Sequence, residues 1–292
     1  MTVFLFLFIL SGCGSGSSNA PSNGPLSGNW QLNLMQNYPH PPTQLSVSGF
    51  LVQSSNSLNG TFQVPAIALG GTTECGGPGP LTGTISGTNV TFSINPGGTT
   101  LSFTGALSSD NASMTGSYQA LAGACFITPT TGTWTASLIP PLNGSFTGTL
   151  SDSPYMAALT GVDPPAPITV SGSFAQSASA GGSSATITGT ITAVGYPCFT
   201  NAYLSGTISG QNVYLDVFNY NGLQIGTLGV PGLPGVAGTP AIVAGGSEGI
   251  TLTGSGQGGL SLGNAGTSPC PALQENGISL TSDTTSVAFN IQ

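Results

Sequence analysis

The sequence predicts an all-β protein made of two tandem duplicated antiparallel β-meander domains, each a small barrel or sandwich. Three observations carry that expectation. The 292 residues hold no Lys or Arg and eight Asp and Glu, against 46 Gly, so long amphipathic helices have few good helix formers to draw on. Short runs such as "GTISGTNVTFSI" and "ITLTGSG" alternate apolar and polar residues and are punctuated by Gly and Asn, the pattern of half-buried antiparallel strands. The chain also repeats itself, which sets the number of units.

The repeat is read from ordered blocks. "LTGTISGTNVTFSI" from Leu81 matches "LSGTISGQNVYLDV" from Leu204, and the same offset aligns Cys75 with Cys198 and "LSVSG" from Leu45 with "ITVSG" from Ile168. Neighbouring offsets align "LSGNW" from Leu26 with "LNGSF" from Leu142, and "MTGSYQ" from Met114 with "LTGSGQ" from Leu252. Cys125 and Gly132 match Cys270 and Gly277, a spacing of seven in both copies. The expected division is a leader over 1–12, a tether over 13–25, copy one over 26–140 and copy two over 141–292.

In chain order, the first element is the apolar run Val3–Leu10. It is far short of the roughly 20 residues a membrane helix needs and has the length of a secretory signal core. It ends in Leu10-Ser11-Gly12-Cys13, which resembles the lipobox of bacterial lipoproteins. That resemblance implies a diacylglycerol on the Cys13 sulfur, cleavage before Cys13 and a further acyl chain, such as palmitate, on its amine. Two or more chains give stable anchoring where one is marginal. It also implies export to the cell envelope and, with Gly14 following the cysteine, sorting to an outer membrane if the host has one. Gly14 to Pro25 is rich in Gly, Ser and Asn, the composition of a flexible tether.

Copy one offers strands near Trp30, Val47, Phe62, Ile85, Phe92, Phe103, Tyr118 and Trp134. Eight short strands in hairpin succession suggest an up-and-down meander, closed as a barrel or folded as a sandwich. Closure removes exposed edges that a chain without Lys cannot blunt with that charge. The rhythm "GNW…LNGTF…LTGTISG…TGSY…GTW" faintly resembles avidin- or lipocalin-type barrels and is also similar to Gly/Thr-rich secreted lipoproteins of soil bacteria. Neither likeness carries ligand residues or an activity. Trp30 and Trp134 are expected to pack together and seal the barrel, with Phe146 and Ser279 in their places in copy two. Copy two also carries "GVPGLPGVAGTPAIVAGG" from Gly229, read as an extended surface loop, since three collagen-like triplets without partner chains hold no triple helix.

Beyond Cys13, the cysteines Cys75, Cys125, Cys198 and Cys270 allow three pairings. The repeat selects Cys75 with Cys125 and Cys198 with Cys270, one staple per copy, in the oxidising setting of an exported protein. Closing a loop of about fifty residues stabilises by roughly 4 kcal/mol in the chain-entropy model. The close C-x-x-C pairs of zinc sites are absent from the sequence.

Charge excludes several functions. Without Lys or Arg, phosphates cannot be neutralised as nucleic-acid binding requires, and bidentate capture of carboxylates is gone. His40, in "NYPHPP", is the single histidine and has no nucleophile elbow beside it, so it reads as a loop residue. Glu74, Asp110, Asp152, Asp163, Asp216, Glu248, Glu275 and Asp283 are all the acids, most of them in turn-like surroundings. Asp216 differs, because "NVYLDVFNY" puts it within a strand on the face of Tyr214 and Phe218. Tyr214, Asp216 and Phe218 are therefore the candidate ligand-binding residues. No cofactor, metal site or catalytic residue is expected. The expected role is a non-enzymatic, lipid-anchored envelope protein with a structural, adhesive or surface-binding task toward carbohydrate or other envelope proteins. A small-molecule or carbohydrate binder with ligand in a barrel cavity is the second expectation, and a carboxylate-dependent glycosidase the third.

Overall fold

The computed structural model describes residues 24–37, 44–65, 76–97, 99–121, 130–151, 168–177, 179, 181–193, 199–222, 224–229, 241–246, 249–258 and 285–291. The first half holds β1 (Gly28–Gln36), β2 (Gln44–Ser54), β3 (Ser57–Val64), β4 (Gly77–Ser86), β5 (Asn89–Ile94), β6 (Leu101–Leu107), β7 (Ser113–Ala120) and β8 (Thr130–Ile139). Each pairs with its chain neighbours and β8 returns to β1, giving a closed antiparallel barrel. Every strand centre expected from the sequence lies within one of these strands. The alternation is visible residue by residue: Val90, Phe92 and Ile94 of β5 are buried while Asn89 and Thr91 are exposed, because successive side chains point to opposite faces.

The second half holds β9 (Gly144–Ser151), β10 (Ile168–Gln176), β11 (Ala185–Ala193), β12 (Ala202–Ser209), β13 (Asn212–Phe218), β14 (Gln224–Leu228), β15 (Ala241–Gly246), β16 (Gly249–Gly258) and β17 (Thr285–Ile291). They form one antiparallel sheet in the order β12-β11-β10-β9-β17-β16-β14-β13-β15. Because β12 also pairs with β13, the hydrogen-bonded path through eight of these strands returns on itself.

Pairing registers relate the two halves strand by strand. Trp30 lies opposite Leu138 and Gly49, as Phe146 lies opposite Ile291 and Gly172. Gly116 lies opposite Trp134, as Gly254 lies opposite Val287. The position of Trp134 is thus held in the second half by Val287; Ser279, expected there from the spacing Cys125–Gly132, lies outside the described residues. The position of β6 is shared by two strands. Phe92 faces Phe103 as Leu215 faces Leu228, and Val90 faces Gly105 as Val213 faces Ala241. One residue separates Phe103 from Gly105, whereas twelve separate Leu228 from Ala241. The insertion therefore splits one strand in two, and its end "AIVAGG", expected as loop, is strand β15. Residues 230–240 lie outside the described residues.

The first core gathers Trp30, Phe62, Phe92, Phe103, Tyr118 and Trp134 with aliphatic residues from all eight strands. Burying a Leu- or Phe-sized side chain contributes about 1.5–3 kcal/mol. The second core gathers Phe146, Phe174, Ile187, Leu204 and Leu215, and it includes Phe50 and Ile139 from the first barrel. The halves therefore share apolar packing.

Candidate functional site

Aromatic side chains pack against one another inside the first barrel. Phe92, Phe103 and Tyr118 sit directly opposite one another on β5, β6 and β7. Their rings stack at centroid separations of 4.6 Å and 5.9 Å. Trp134 meets Phe92 and Phe103 edge-on at 5.3 Å and 5.7 Å, the geometry that ring quadrupoles favour. Its indole N–H donates to the carbonyls of Thr104 and Ser117 at 3.2 Å and 3.1 Å. Gly105 makes room, since a Cβ there would stand 2.7 Å from Cζ2 of Trp134. Trp30 is equally buried and donates to the Leu26 carbonyl at 2.9 Å. Each tryptophan thus has its own partners.

Burial pushes the Tyr118 phenol up to about 12, against a smaller lowering contribution from a hydrogen bond with Gln36. A phenol raised above its usual value near 10 stabilises the fold below pH 10, and that stability is lost as pH rises through about 12. The denaturant midpoint read by tryptophan emission should hold from neutral pH to about 9 and fall between about 10 and 12. Tyr118→Phe should flatten that fall; an identical fall in the variant would remove Tyr118 as its source.

Outside, the sheets present rows of hydroxyls. Thr84, Thr91, Thr104, Ser117 and Thr133 stand side by side on β4 to β8, all exposed. Strand spacing sets them about 4.8 Å apart. Neighbours bond to one another, as Thr104 and Ser117 do at 3.2 Å, and Ser173 and Thr190 at 3.0 Å.

On the second half one such row changes character. Ser173 and Thr190 lead across the strands to Tyr203, Phe218 and Gln224. Tyr203 is 40% exposed, and its ring stacks on Phe218 at 5.0 Å with 14° between the planes. One row away, Asp216 faces Ser205 and accepts a hydrogen bond of 2.8 Å from Gln224 Nε2. Tyr214 is partly buried on the same strand, and desolvation raises its phenol. The turn after Phe218 is fixed by Asn219, whose Oδ1 accepts from Asn221 N at 3.0 Å and whose carbonyl accepts from Gly222 N at 3.0 Å. That turn displays Tyr220, 66% exposed. The structure thus places Tyr214, Asp216 and Phe218 on one outer face and adds Tyr203, Gln224 and Tyr220. Tyr203 was legible: counting outward from the two-residue turn Gly210–Gln211 puts it opposite Phe218.

The junction between the halves is the second feature. The turn joining β12 to β13 docks on β1 and β2, where the Asn29 amide donates to Gly210 O at 2.8 Å and accepts from Gly210 N at 2.7 Å. Gln31 Oε1 accepts from Gln211 N at 3.2 Å, and the Ser48 and Ser209 hydroxyls meet at 2.8 Å. Asn29, Gln31 and Ser48 are all buried. Beside this contact lies a hollow of about 400 Å³, lined by Phe50, Leu138, Ile139 and Pro140 with Asn143 and Gln176.

Among the described residues the carboxylates are Asp110, in the first half, and Asp216, in the second. Asp110 sits in the turn between β6 and β7; the Ser108 hydroxyl, and then the Ala112 N–H, hold its carboxyl below the usual range. His40, Cys13, Cys75, Cys125, Cys198, Cys270 and the other acids lie outside the described residues. No group of three metal-binding side chains occurs among the described residues, and no helix among them is long and apolar enough to cross a membrane. Compared with family models, curated proteins and solved structures, the chain matches none.

Proposed function

We propose that the chain is a non-enzymatic, lipid-anchored envelope protein that works through its outer surface in a structural, adhesive or binding role. The observation that carries this reading is the packed aromatic interior of the first barrel, which leaves recognition to the outside. There, among the described residues, neutral hydroxyl rows and an aromatic strip face solvent. The charge inventory supports it further: a surface without Lys or Arg suits uncharged, hydroxyl-rich partners and repels acidic ones. Anchoring rests on the resemblance at Leu10–Cys13, and the staples on the four later cysteines. Cys75 and Cys198 fall in the connections β3–β4 and β11–β12, and Cys125 and Cys270 in β7–β8 and β16–β17, which are corresponding connections by register. A small-molecule role keeps one specific point in its favour, the hollow of about 400 Å³ at the junction, within the usual size range of ligand pockets but outside the barrel.

The absence of Lys gives the anchor a clean test. The α-amine is the only primary amine the chain can carry. In protein taken from membranes of its own host, the mature N-terminus is expected at Cys13 with the mass of a diacylglycerol. Amine-reactive labelling is then absent if the amine is acylated and single if it is free. An N-terminus without lipid, on protein that leaves the membrane in plain buffer, would overturn the anchoring.

A further inference from the structure

We infer that the strip formed by Tyr203, Phe218, Tyr220, Asp216 and Gln224 is a binding site for a neutral pyranose polysaccharide; this rests on the surface-binding reading above. A pyranose ring has an apolar face of C–H groups, carrying slight positive charge, and a rim of hydroxyls. An exposed aromatic face is negative at its centre, so ring and sugar face attract while both shed water. Tyr203 and Tyr220 are the exposed aromatics among the described residues, and they lie at one end of the β12–β13 hairpin with Phe218 stacked on Tyr203.

The rim of a sugar needs acceptors and donors fixed beside that platform. Asp216 lies two residues from Phe218 on the same face, about 7 Å along the strand. Its bond to Gln224 uses one of about four acceptor positions of a carboxylate, which leaves capacity for sugar hydroxyls. The Asn219 hydrogen bonds hold the Tyr220 turn in shape, so little ordering is needed on binding. Charge selects the ligand class: with one carboxylate at the site and no Lys or Arg in the chain, a uronate, sulfate or phosphate polymer is repelled.

By register, Tyr203, Asp216 and Phe218 correspond to Pro80, Ser93 and Asn95 in the first half, so those positions of the first barrel carry neither the aromatic pair nor the acid.

The test is co-sedimentation and affinity electrophoresis of the full mature chain with a panel of neutral polysaccharides (cellulose, starch, β-1,3-glucan, mannan, chitin) and with polygalacturonate. Binding to at least one neutral polymer and none to polygalacturonate is expected. Tyr203→Ala with Phe218→Ala should weaken it at least tenfold, and Asp216→Asn a few-fold. Thr91→Ala with Ser93→Ala on the first barrel should change nothing. Ring resonances of Tyr203 and Phe218 in the unaltered protein should shift on adding the matching oligosaccharide, which keeps the test valid if a variant misfolds. No binding across the panel, preference for the anionic polymer, or binding that leaves those resonances unmoved would overturn the site. Anchoring is read separately from the N-terminal mass, so failure of one leaves the other standing.

Discussion

Trp134→Ala is expected to lower the stability of the first barrel by about 4 kcal/mol, within the 3–5 kcal/mol range for emptying a large aromatic site in a core. Three losses combine. The indole's contacts with Phe92 and Phe103 vanish, and the carbonyls of Thr104 and Ser117 lose their shared donor. The space cannot collapse easily, because Gly105 and Gly116 offer no side chains to fill it. Both tryptophans of the chain lie in the first barrel, so emission from the remaining Trp30 reports that half alone in a denaturant titration. A loss below about 1 kcal/mol would mean that the barrel interior is not packed around this residue. Gly105 and Trp134 correspond by register to Ala241 and Val287.

Gly210→Val should uncouple the two halves. Gly210 has a φ of 57°, which costs a side-chain-bearing residue roughly 1–2 kcal/mol. The added Cβ would stand 2.2 Å from Gln31 Oε1 and 2.5 Å from Ser48 Cβ, so the turn cannot stay seated. Asn29 and Gln31 then lose partners for buried amides, at about 1–3 kcal/mol for each group left unsatisfied. The expected result is two separate unfolding transitions in place of a joined one, and a longer maximum dimension in solution scattering. The corresponding Gly87 has a φ of 59° with nothing near its Cβ position. Gly87→Val should therefore show only the backbone cost, with the halves still joined. Equal behaviour of the two variants would contradict the docking.

How much could be read in advance differs between fold and site. Strand positions were legible because a half-buried sheet imposes a period of two, and Phe92, Phe103 and Tyr118 obey it with Thr and Ser between them. The split of one strand into β14 and β15 was not, since "AIVAGG" follows a Gly/Pro-rich stretch and its pairing with β13 joins residues about thirty apart in sequence. The junction left a trace that alternation exposes: Phe50 occupies an outward position on β2, next in phase to Ser46 and Ser48. An apolar side chain there has to be covered, and the second core covers it. What covers it is tertiary information, which no local pattern holds. Likewise the face of Tyr214, Asp216 and Phe218 followed from strand phase, whereas the bond between Asp216 and Gln224 depends on how β14 returns alongside β13.

The packed interior of the first barrel is the central claim, and its two buried tryptophans offer the most direct test. Titrating the full chain with a panel of small apolar ligands, from aromatic alcohols to medium-chain fatty acids, while following tryptophan emission should leave wavelength and intensity unchanged. A saturable shift or quenching at submillimolar ligand, competed by a second ligand of the same class, would place a cavity beside Trp30 or Trp134 and contradict their packing in the core.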